Sequence, residues 1–402
     1  MMTKSHVTGA DLRGASRLAV DAAIGLTHLV ETLHHNILRT PGVLGEATQQ
    51  PAQGITGLVY KSIRGVTRMV GGGIDAVLAR LALLFANPGV TSPEREVVLG
   101  ALNGVLGDHL QASANPLAIP MQFRREGIAF ATTRASVAAA IPGATGKIVL
   151  LVHGLCMSDL QWRRKGHDHG AALGATGEFT PVYLRYNSGL HVSENGHELA
   201  AQLEALLSAW PLPVDELVIV AHSMGGLVAR SACHYAGVAG YRWRAHLRKI
   251  FFLGTPHHGA PLERGGHWID VVLDASPYTT AFARLGKMRS AGITDLRHGS
   301  MLDDDWQRHD RFARAHRQPA MLPLPAGVAC YAIAAAIAKK GGPLTEQLLG
   351  DGLVPLASAL GQDEDPARRL AFPKDRQWIG YGMHHLDLLD RHEVFTRLRG
   401  WL

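Results

Sequence analysis

The chain has 402 residues, of which 47% are hydrophobic and 18% charged, so a large buried core is expected. Its formal net charge of +6 comes from scattered Lys and Arg residues, which argues against a nucleic-acid-binding protein, where basic charge is clustered. The three cysteines include no Cys-x-x-Cys pair, so neither a disulfide framework nor a thiolate zinc site is indicated. No run of about 18 apolar residues and no apolar signal segment occurs, and we expect a cytoplasmic protein.

Residues 1–90 have the pattern of a helical region that is separate from the rest of the chain. Apolar residues recur at helical spacing over residues 11–39 and again over residues 55–85. The second of these segments carries a basic face beside a broad apolar one. Two interpretations stay open for it. Its apolar face packs on the first helix or on the rest of the protein, or residues 55–85 lie peripherally on an anionic membrane or lipid surface.

A third helix and then a series of strands are predicted after this region. Ser92-Pro93-Glu94 has the residue types of a helix start, and the helix is expected to reach about Gln111. From about residue 125, continuous apolar runs appear, which are typical of strands buried on both faces of a parallel sheet. The runs are Lys147–Val152, Pro181–Tyr186, Glu216–Ala221, Lys249–Leu253 and Ala329–Ile337.

Helical segments separate these runs, near Ser158–Leu173 and Glu194–Trp210 and after Ser223, and a last helix ends at Leu402. This alternation predicts an α/β fold with a doubly wound, mostly parallel sheet. The alternation of strands and helices is interrupted at about residues 260–325, where aromatic residues occur among many charged ones. We therefore predict two regions: an N-terminal helical region (1–90) and an α/β domain (91–402) with a cap inserted at about 260–325. Three adjacent acids in the cap, Asp303–Asp305, are expected to cap a helix, and no metal site is predicted.

The most specific motif is the sequence VAHSMGG at Val220–Gly226, between a predicted strand and a predicted helix. A serine on a tight strand-to-helix turn, flanked by small residues, is typical of the nucleophile elbow. The usual pattern is Gly-x-Ser-x-Gly, and Ala221 stands here at the first glycine. Because a serine hydroxyl needs a base to become a good nucleophile, Ser223 predicts further catalytic groups elsewhere in the chain. The alternative is a glycine-rich helix start without chemistry.

A second motif, His153-Gly154-Leu155, follows the strand predicted at Lys147–Val152. In a hydrolase with an elbow, an N–H after this strand shares the oxyanion with the N–H that follows the nucleophile. The predicted donors are therefore the N–H groups of Leu155 and Met224. The alternative is an ordinary glycine-containing turn.

Two further motifs supply an acid and a base. Asp351 lies between two glycines just after the run Ala329–Ile337, where a carboxylate can orient a histidine, although a solvated Asp-Gly turn has the same signature. His384 and His385 lie near the C-terminus, and either one is a candidate base. The order Ser, Asp, His matches the order expected for an elbow-containing hydrolase.

Five segments together resemble the bacterial lipase and esterase branch of the α/β-hydrolases. They are HGLCMSDLQW, AHSMGG, GTPHHGAPLE, GDGLVP and HHLDLL, and they are similar to the lipase-like group related to the glycosylphosphatidylinositol deacylase. The resemblance covers roughly residues 120–402 and implies an α/β-hydrolase fold with Ser223 as nucleophile and Asp351 as acid. Within this pattern the histidine precedes Leu-Asp-Leu-Leu, which favours His385 over His384.

The same resemblance places GTPHHG in the loop after the fourth strand, where its two histidines would shape the pocket. We predict His153, His222, His257 and His258 as substrate-binding residues, although a role as turn residues fits His257 and His258 equally well. The predicted function is hydrolysis of carboxylic, acyl or lipid esters through Ser223, His385 and Asp351. No cofactor, no metal and no nucleic acid partner are predicted. An acyltransferase or thioesterase on the same triad, and a non-catalytic lipid- or granule-surface protein, remain as alternatives.

Overall fold

The structure, a computed structural model, describes residue 14 and residues 93–260, 290–307, 319–339 and 350–402. The two helices predicted within residues 1–90 lie outside the described residues. The same is true of residues 261–289 and 308–318, which make up most of the predicted cap.

One sheet of eight strands organises the described part of the chain. Its strands are β1 (Gln122–Arg125), β2 (Ile128–Phe130), β3 (Lys147–Val152), β4 (Thr180–Arg185), β5 (Glu216–His222), β6 (Leu247–Leu253), β7 (Ala329–Ala336) and β8 (Gln377–Tyr381). They are arranged in the order β2-β1-β4-β3-β5-β6-β7-β8. Neighbouring strands pair in parallel from β4 through β3, β5, β6 and β7 to β8. Strand β1 pairs antiparallel with both β2 and β4. The predicted mostly parallel sheet is confirmed.

The central strands direct apolar side chains to both faces of the sheet, and a separate hydrophobic core lies on each face. Along β3, Ile148, Leu150 and Val152 enter one cluster of buried residues, whereas Val149 and Leu151 enter the other. This is the period of two that a strand imposes on its side chains. Strands buried in this way must have apolar residues at every position, which explains the continuous runs in the sequence.

Eight helices surround the sheet in the described residues. They are α1 (Pro93–Ala112), α2 (Arg134–Ala140), α3 (His169–Gly174), α4 (Val192–Ala209), α5 (Met224–Ala239), α6 (Ala291–His298), α7 (Leu356–Ala359) and α8 (His392–Trp401). Residues of α1, α4 and α5 contribute to the first core, and residues of α3 and α8 to the second, so helices cover both faces. Of the described helices, none combines the length and the hydropathy needed to cross a membrane.

Within the described residues, the short helices α2 and α7 were not predicted, and the strand and helix predictions otherwise hold with three differences. The segment Ser158–Leu173 is not one helix, because a short 3-10 helix at Asp159–Trp162 and the short helix α3 are separated by a turn. The strands β1, β2 and β8 were not predicted, since they are short and carry no long apolar run. Finally, residues 290–307, the longest described part of the predicted cap, contain α6, and Ser290 Oγ donates to the carbonyl of Gly104 in α1 at 2.6 Å. This part is therefore attached to the helical layer of the domain.

A buried ionic cluster ties α1 to the antiparallel edge of the sheet. Glu96 of α1 accepts hydrogen bonds from Arg185 Nε at 2.7 Å and from Arg124 Nη1 at 2.9 Å, and Arg124 also contacts Asp159 at 3.3 Å. All four side chains are buried. Charges removed from water must be compensated within the protein, so this cluster fixes α1 against β1 and β4.

Candidate active site

Ser223 occupies a sharp turn between β5 and α5. Its backbone has φ +54° and ψ −126°, a combination that is rare for a residue other than glycine. The surrounding sheet holds this conformation, because the N–H of Ser223 donates to the carbonyl of Leu253 at the end of β6 (2.8 Å). The strand–turn–helix context that defines a nucleophile elbow is therefore present, and the side chain lies at the rim of the core with 8% of its surface exposed.

Asp351 and His385 meet at the same edge of the sheet, on the loops that follow β7 and precede the last helix. Asp351 Oδ2 lies 2.7 Å from His385 Nδ1, and both side chains are buried. The other oxygen of the carboxylate accepts the N–H groups of Leu353 (3.0 Å) and Val354 (2.8 Å). The carboxylate is thus held in place from both sides, as a group that orients a histidine must be.

The contact with Asp351 determines which nitrogen of His385 carries the proton in the neutral ring. A carboxylate only accepts hydrogen bonds, so Nδ1 donates and Nε2 is left with its lone pair. His385 Nε2 is buried and has no hydrogen-bond partner among the described residues. An unpaired imidazole nitrogen of this kind can accept a proton from a nearby hydroxyl.

His385 lies beside the elbow rather than on a remote surface. Its ring centroid is 4.6 Å from that of His222, the residue that immediately precedes Ser223. On its other side the ring faces Gly254, where a Cβ atom would lie 3.0 Å from His385 Cε1. The competing histidine, His384, is exposed. Of the two candidate bases, only His385 therefore contacts the predicted acid.

The two predicted oxyanion donors belong to segments that adjoin Ser223. Leu155 is in the turn after β3, and a Cβ atom at the preceding Gly154 would lie 3.0 Å from Ser223 Cβ. Met224 is the first residue of α5, so its N–H has no acceptor within the helix. Neither N–H donates to an acceptor within the described residues. Free N–H groups next to a nucleophile can stabilise negative charge on a substrate oxygen.

The four histidines predicted to bind substrate have little or no exposed surface. His153, His222 and His257 are buried, and His258 is nearly so. His153 stacks on Tyr186 at 4.3 Å and donates from Nδ1 to the carbonyl of Gly154 at 2.9 Å. Burial lowers the pKa of His153 to about 3 and holds the pKa values of His222 and His257 well below the ordinary range. These rings are neutral, and a direct contact with substrate stays a prediction for each of them.

One buried charge near the site was not singled out in the sequence. Arg230 of α5 is 1% exposed and contacts His257 Nδ1 through Nη1 at 3.2 Å, and its Nη2 donates to the carbonyl of Leu322. Burial lowers the pKa of Arg230 to about 10. Arg230 thereby connects the helix that carries Ser223 with the loop containing His257. Its position in the sequence LVAR, within the helix predicted after Ser223, gave no signal that it would be buried.

Comparison with known proteins places these features in a family context. The family described as PGAP1-like alpha/beta domain matches residues 143–323. No curated protein matches the chain.

Solved structures with similarity to the chain include three lipases or esterases. The mature form of Bacillus licheniformis lipase BlEst2 is 16% identical with a TM-score of 0.40, over 65% of this chain and 93% of that one. Pyrococcus furiosus esterase PF2001 is 12% identical with a TM-score of 0.40, over 65% and 83% of the two chains. Aspergillus fumigatus lipase B is 14% identical with a TM-score of 0.35, over 65% of this chain and 53% of its own.

The family match covers β3 to β6 and includes the elbow and the turn that follows β3. The resemblance indicated by the sequence motifs is confirmed: the chain has an α/β-hydrolase fold, and its residues 143–323 are similar to the family described as PGAP1-like alpha/beta domain.

Proposed function

We propose that the protein hydrolyses carboxylic esters by acyl transfer through Ser223. The observation that carries this proposal is the buried 2.7 Å contact between Asp351 and His385, which leaves Nε2 of His385 without a partner in a ring that packs against His222, the residue before the elbow serine. If the contact between Asp351 and His385 had only a structural role, it would not explain the strained backbone of Ser223. The match of residues 143–323 to the PGAP1-like family supports the same reaction class.

The proposed reaction has two steps. In the first, His385 Nε2 takes the proton of the Ser223 hydroxyl while the oxygen attacks the ester carbonyl, and the N–H groups of Leu155 and Met224 hold the oxyanion. His385 then gives the proton to the departing alcohol, which leaves an acyl-Ser223. In the second step, water attacks the acyl group, with His385 as base again, and the carboxylic acid is released. Asp351 keeps the Nδ1 proton in place throughout and stabilises the imidazolium.

Substitution of Ser223 tests this proposal. Ser223→Ala should lower ester hydrolysis by at least ~10³-fold, because the nucleophile is lost while the fold is kept. Wild-type protein should react with a fluorophosphonate probe at one serine, and Ser223→Ala should not. Ser208→Ala, which changes an exposed serine of α4, is the matched control and should label like the wild type. A panel of esters of graded chain length would then define the preferred acyl group. Near-full turnover by Ser223→Ala would contradict the proposal.

The hydrolysis assay and the fluorophosphonate labelling also distinguish two alternative functions. An acyltransferase or thioesterase would form the same acyl-Ser223, and adding alcohols or thioesters to the assay separates it from an ester hydrolase. A non-catalytic lipid-surface protein would leave Ser223 unreactive toward the fluorophosphonate. The proposed surface contact through residues 55–85 has its own test, because deletion of residues 1–90 should abolish flotation with liposomes. Unchanged flotation would reject that contact.

A further inference from the structure

The side chain of His222 lies between two parts of the site that must keep a fixed distance. It is the last residue of β5, and 1% of its surface is exposed. On one side, its Nε2 is 3.3 Å from the carbonyl oxygen of His385, and the two rings are 4.6 Å apart. On the other side, a Cβ atom at Gly154 would lie 3.2 Å from His222 Nδ1. The ring therefore contacts both the base and the segment that leads to Leu155.

The hydrogen bonds of His222 determine its tautomer. A carbonyl oxygen only accepts hydrogen bonds, so Nε2 of His222 carries the proton. This N–H donates a hydrogen bond to the backbone carbonyl of His385. Nδ1 then has no proton, and it has no partner among the described residues. Burial, together with the neighbouring His385, keeps the pKa of His222 well below its ordinary range, so the ring stays neutral. A neutral ring at this place adds no repulsion when His385 takes up a proton during the reaction.

The donor is aimed at the backbone of His385 and not at its reactive nitrogen. His222 can therefore fix where the base sits without taking part in proton transfer. The backbone N–H of His385 is already held by the carbonyl of Asp351 at 3.2 Å, so His222 supplies a second anchor from the end of β5. Because His222 and Ser223 are consecutive residues, this anchor links the position of the base directly to that of the nucleophile.

We propose that His222 is a positioning residue, which sets the spacing between His385, Ser223 and the oxyanion segment through its side-chain hydrogen bond and its ring contacts. This assignment rests on the proposed function of Ser223 and His385. It differs from a substrate-binding role, because a buried ring between two protein segments affects the rate of the chemical step more than the affinity for substrate. Misplacement of a catalytic group by about 1 Å can cost on the order of 100-fold in rate.

Three substitutions separate this role from a merely structural one. His222→Gln keeps an N–H donor near the position of Nε2, whereas His222→Leu fills the space without a donor and His222→Asn has a donor that is too short to reach. We expect kcat to fall ~10- to 100-fold in the Leu and Asn variants with KM within about 3-fold of wild type, and to fall less than ~5-fold in the Gln variant. The rate constant for fluorophosphonate labelling should fall in parallel, with the final stoichiometry still one.

The control is His197→Leu, which removes an exposed histidine that contacts Asp303 at 2.9 Å and should leave kcat unchanged. Thermal unfolding of each variant shows whether it is folded, and His222→Asn replaces His222→Leu if the latter is not. Wild-type kcat in the Leu and Asn variants would overturn the positioning role while leaving Ser223 as the nucleophile. A rise in KM at constant kcat would also overturn it and favour substrate contact. A wild-type protein without esterase activity or labelling would overturn the proposed function, and this role with it.

Discussion

Asp351 and His385 are joined by two hydrogen bonds, one between side chains at 2.7 Å and one between backbones at 3.2 Å. The side-chain bond sets the tautomer of the imidazole. The backbone bond, from the N–H of His385 to the carbonyl of Asp351, holds the two loops together independently of the carboxylate. A substitution at Asp351 can therefore change the protonation pattern of His385 without releasing the loop that carries it.

Asp351→Asn tests the tautomer directly. The amide can still accept the N–H groups of Leu353 and Val354 through its oxygen, so the loop should keep its conformation. Its NH₂ group, however, would donate to His385 Nδ1, which moves the ring proton to Nε2 and removes the base. We expect kcat for ester hydrolysis to fall ~10⁴-fold with little change in unfolding temperature. Asp375→Asn, at an exposed acid, is the control. A loss of less than about 10-fold would show that Asp351 does not orient the base.

Gly254 lies close to the ring of His385, and Gly254→Ala tests whether the ring tolerates a side chain at this position. A Cβ atom there would lie 3.0 Å from His385 Cε1 and 3.1 Å from Nδ1, and Gly254 has φ +58°. Both the contact and the backbone strain predict a loss of activity. The control isolates the contact, because Gly143 has φ +80° with nothing within 4 Å of its Cβ position. We expect backbone strain to cost each variant stability on the order of 1 kcal/mol, with a larger loss in Gly254→Ala because its Cβ would also lie 2.8 Å from Leu388 Cδ1. Only Gly254→Ala should lose more than ~10-fold in kcat. Equal activities would show that His385 tolerates displacement.

The fold was predictable wherever a strand is buried on both faces. The sequence KIVLLV in β3 is an example, since the five consecutive positions after its lysine had to be apolar to fill two cores. The strands β1 and β2 gave no such signal: Gln122–Arg125 contains two arginines, and Arg124 is buried only because Glu96 and Asp159 compensate its charge. A pairing between residues 28 positions apart depends on the fold, and a local sequence pattern does not contain it.

The candidate site shows the same division. The elbow could be predicted because the whole motif, strand, serine and helix, is contiguous in sequence. The sequence predicted an acid and a base on the two loops where Asp351 and His385 are in contact, but the residue types left His384 and His385 equivalent, and only the resemblance favoured His385. The sequence suggested His222 as a substrate-binding residue. The positioning role proposed for it could not be predicted, because that role depends on a contact with the carbonyl of a residue 163 positions away.

Glu96 is predicted to be essential for stability, although it belongs to none of the motifs that carry the chemistry. It lies in α1, outside the segment that matches the family, yet it accepts hydrogen bonds from two buried arginines, Arg124 and Arg185. Glu96→Gln would leave these guanidinium groups with Asp159 alone in the described cluster. We expect a loss of ~3–5 kcal/mol in the free energy of unfolding, measured with urea. Glu126→Gln, at an exposed acid, should change it by less than about 0.5 kcal/mol. A similar small effect of Glu96→Gln would mean that water reaches the cluster.

The buried neutral histidines predict that stability falls in mild acid. Burial lowers the pKa of His153 to about 3, whereas in the unfolded chain it is expected near 6.5, so the unfolded state binds a proton that the folded state does not. The contribution of His153 to folding is therefore constant above about pH 7 and declines as the pH falls from about 6.5 toward 3. Between pH 7 and pH 5 this amounts to about 2 kcal/mol for one such group.

In His153→Gln the difference between the free energies of unfolding at pH 7 and pH 5 should be smaller than in the wild type by about that amount, since one titrating group is gone. His169, whose pKa burial lowers to about 4, should still contribute, so part of the pH dependence remains in the variant. His392→Gln, which changes an exposed histidine, is the matched control and should keep the wild-type dependence. If His153→Gln retained the full wild-type difference, the ring of His153 would have to be protonated in the folded protein. The hydrogen bond that His153 Nε2 accepts from the Tyr186 N–H would then have to break by pH 5, because a protonated Nε2 cannot accept.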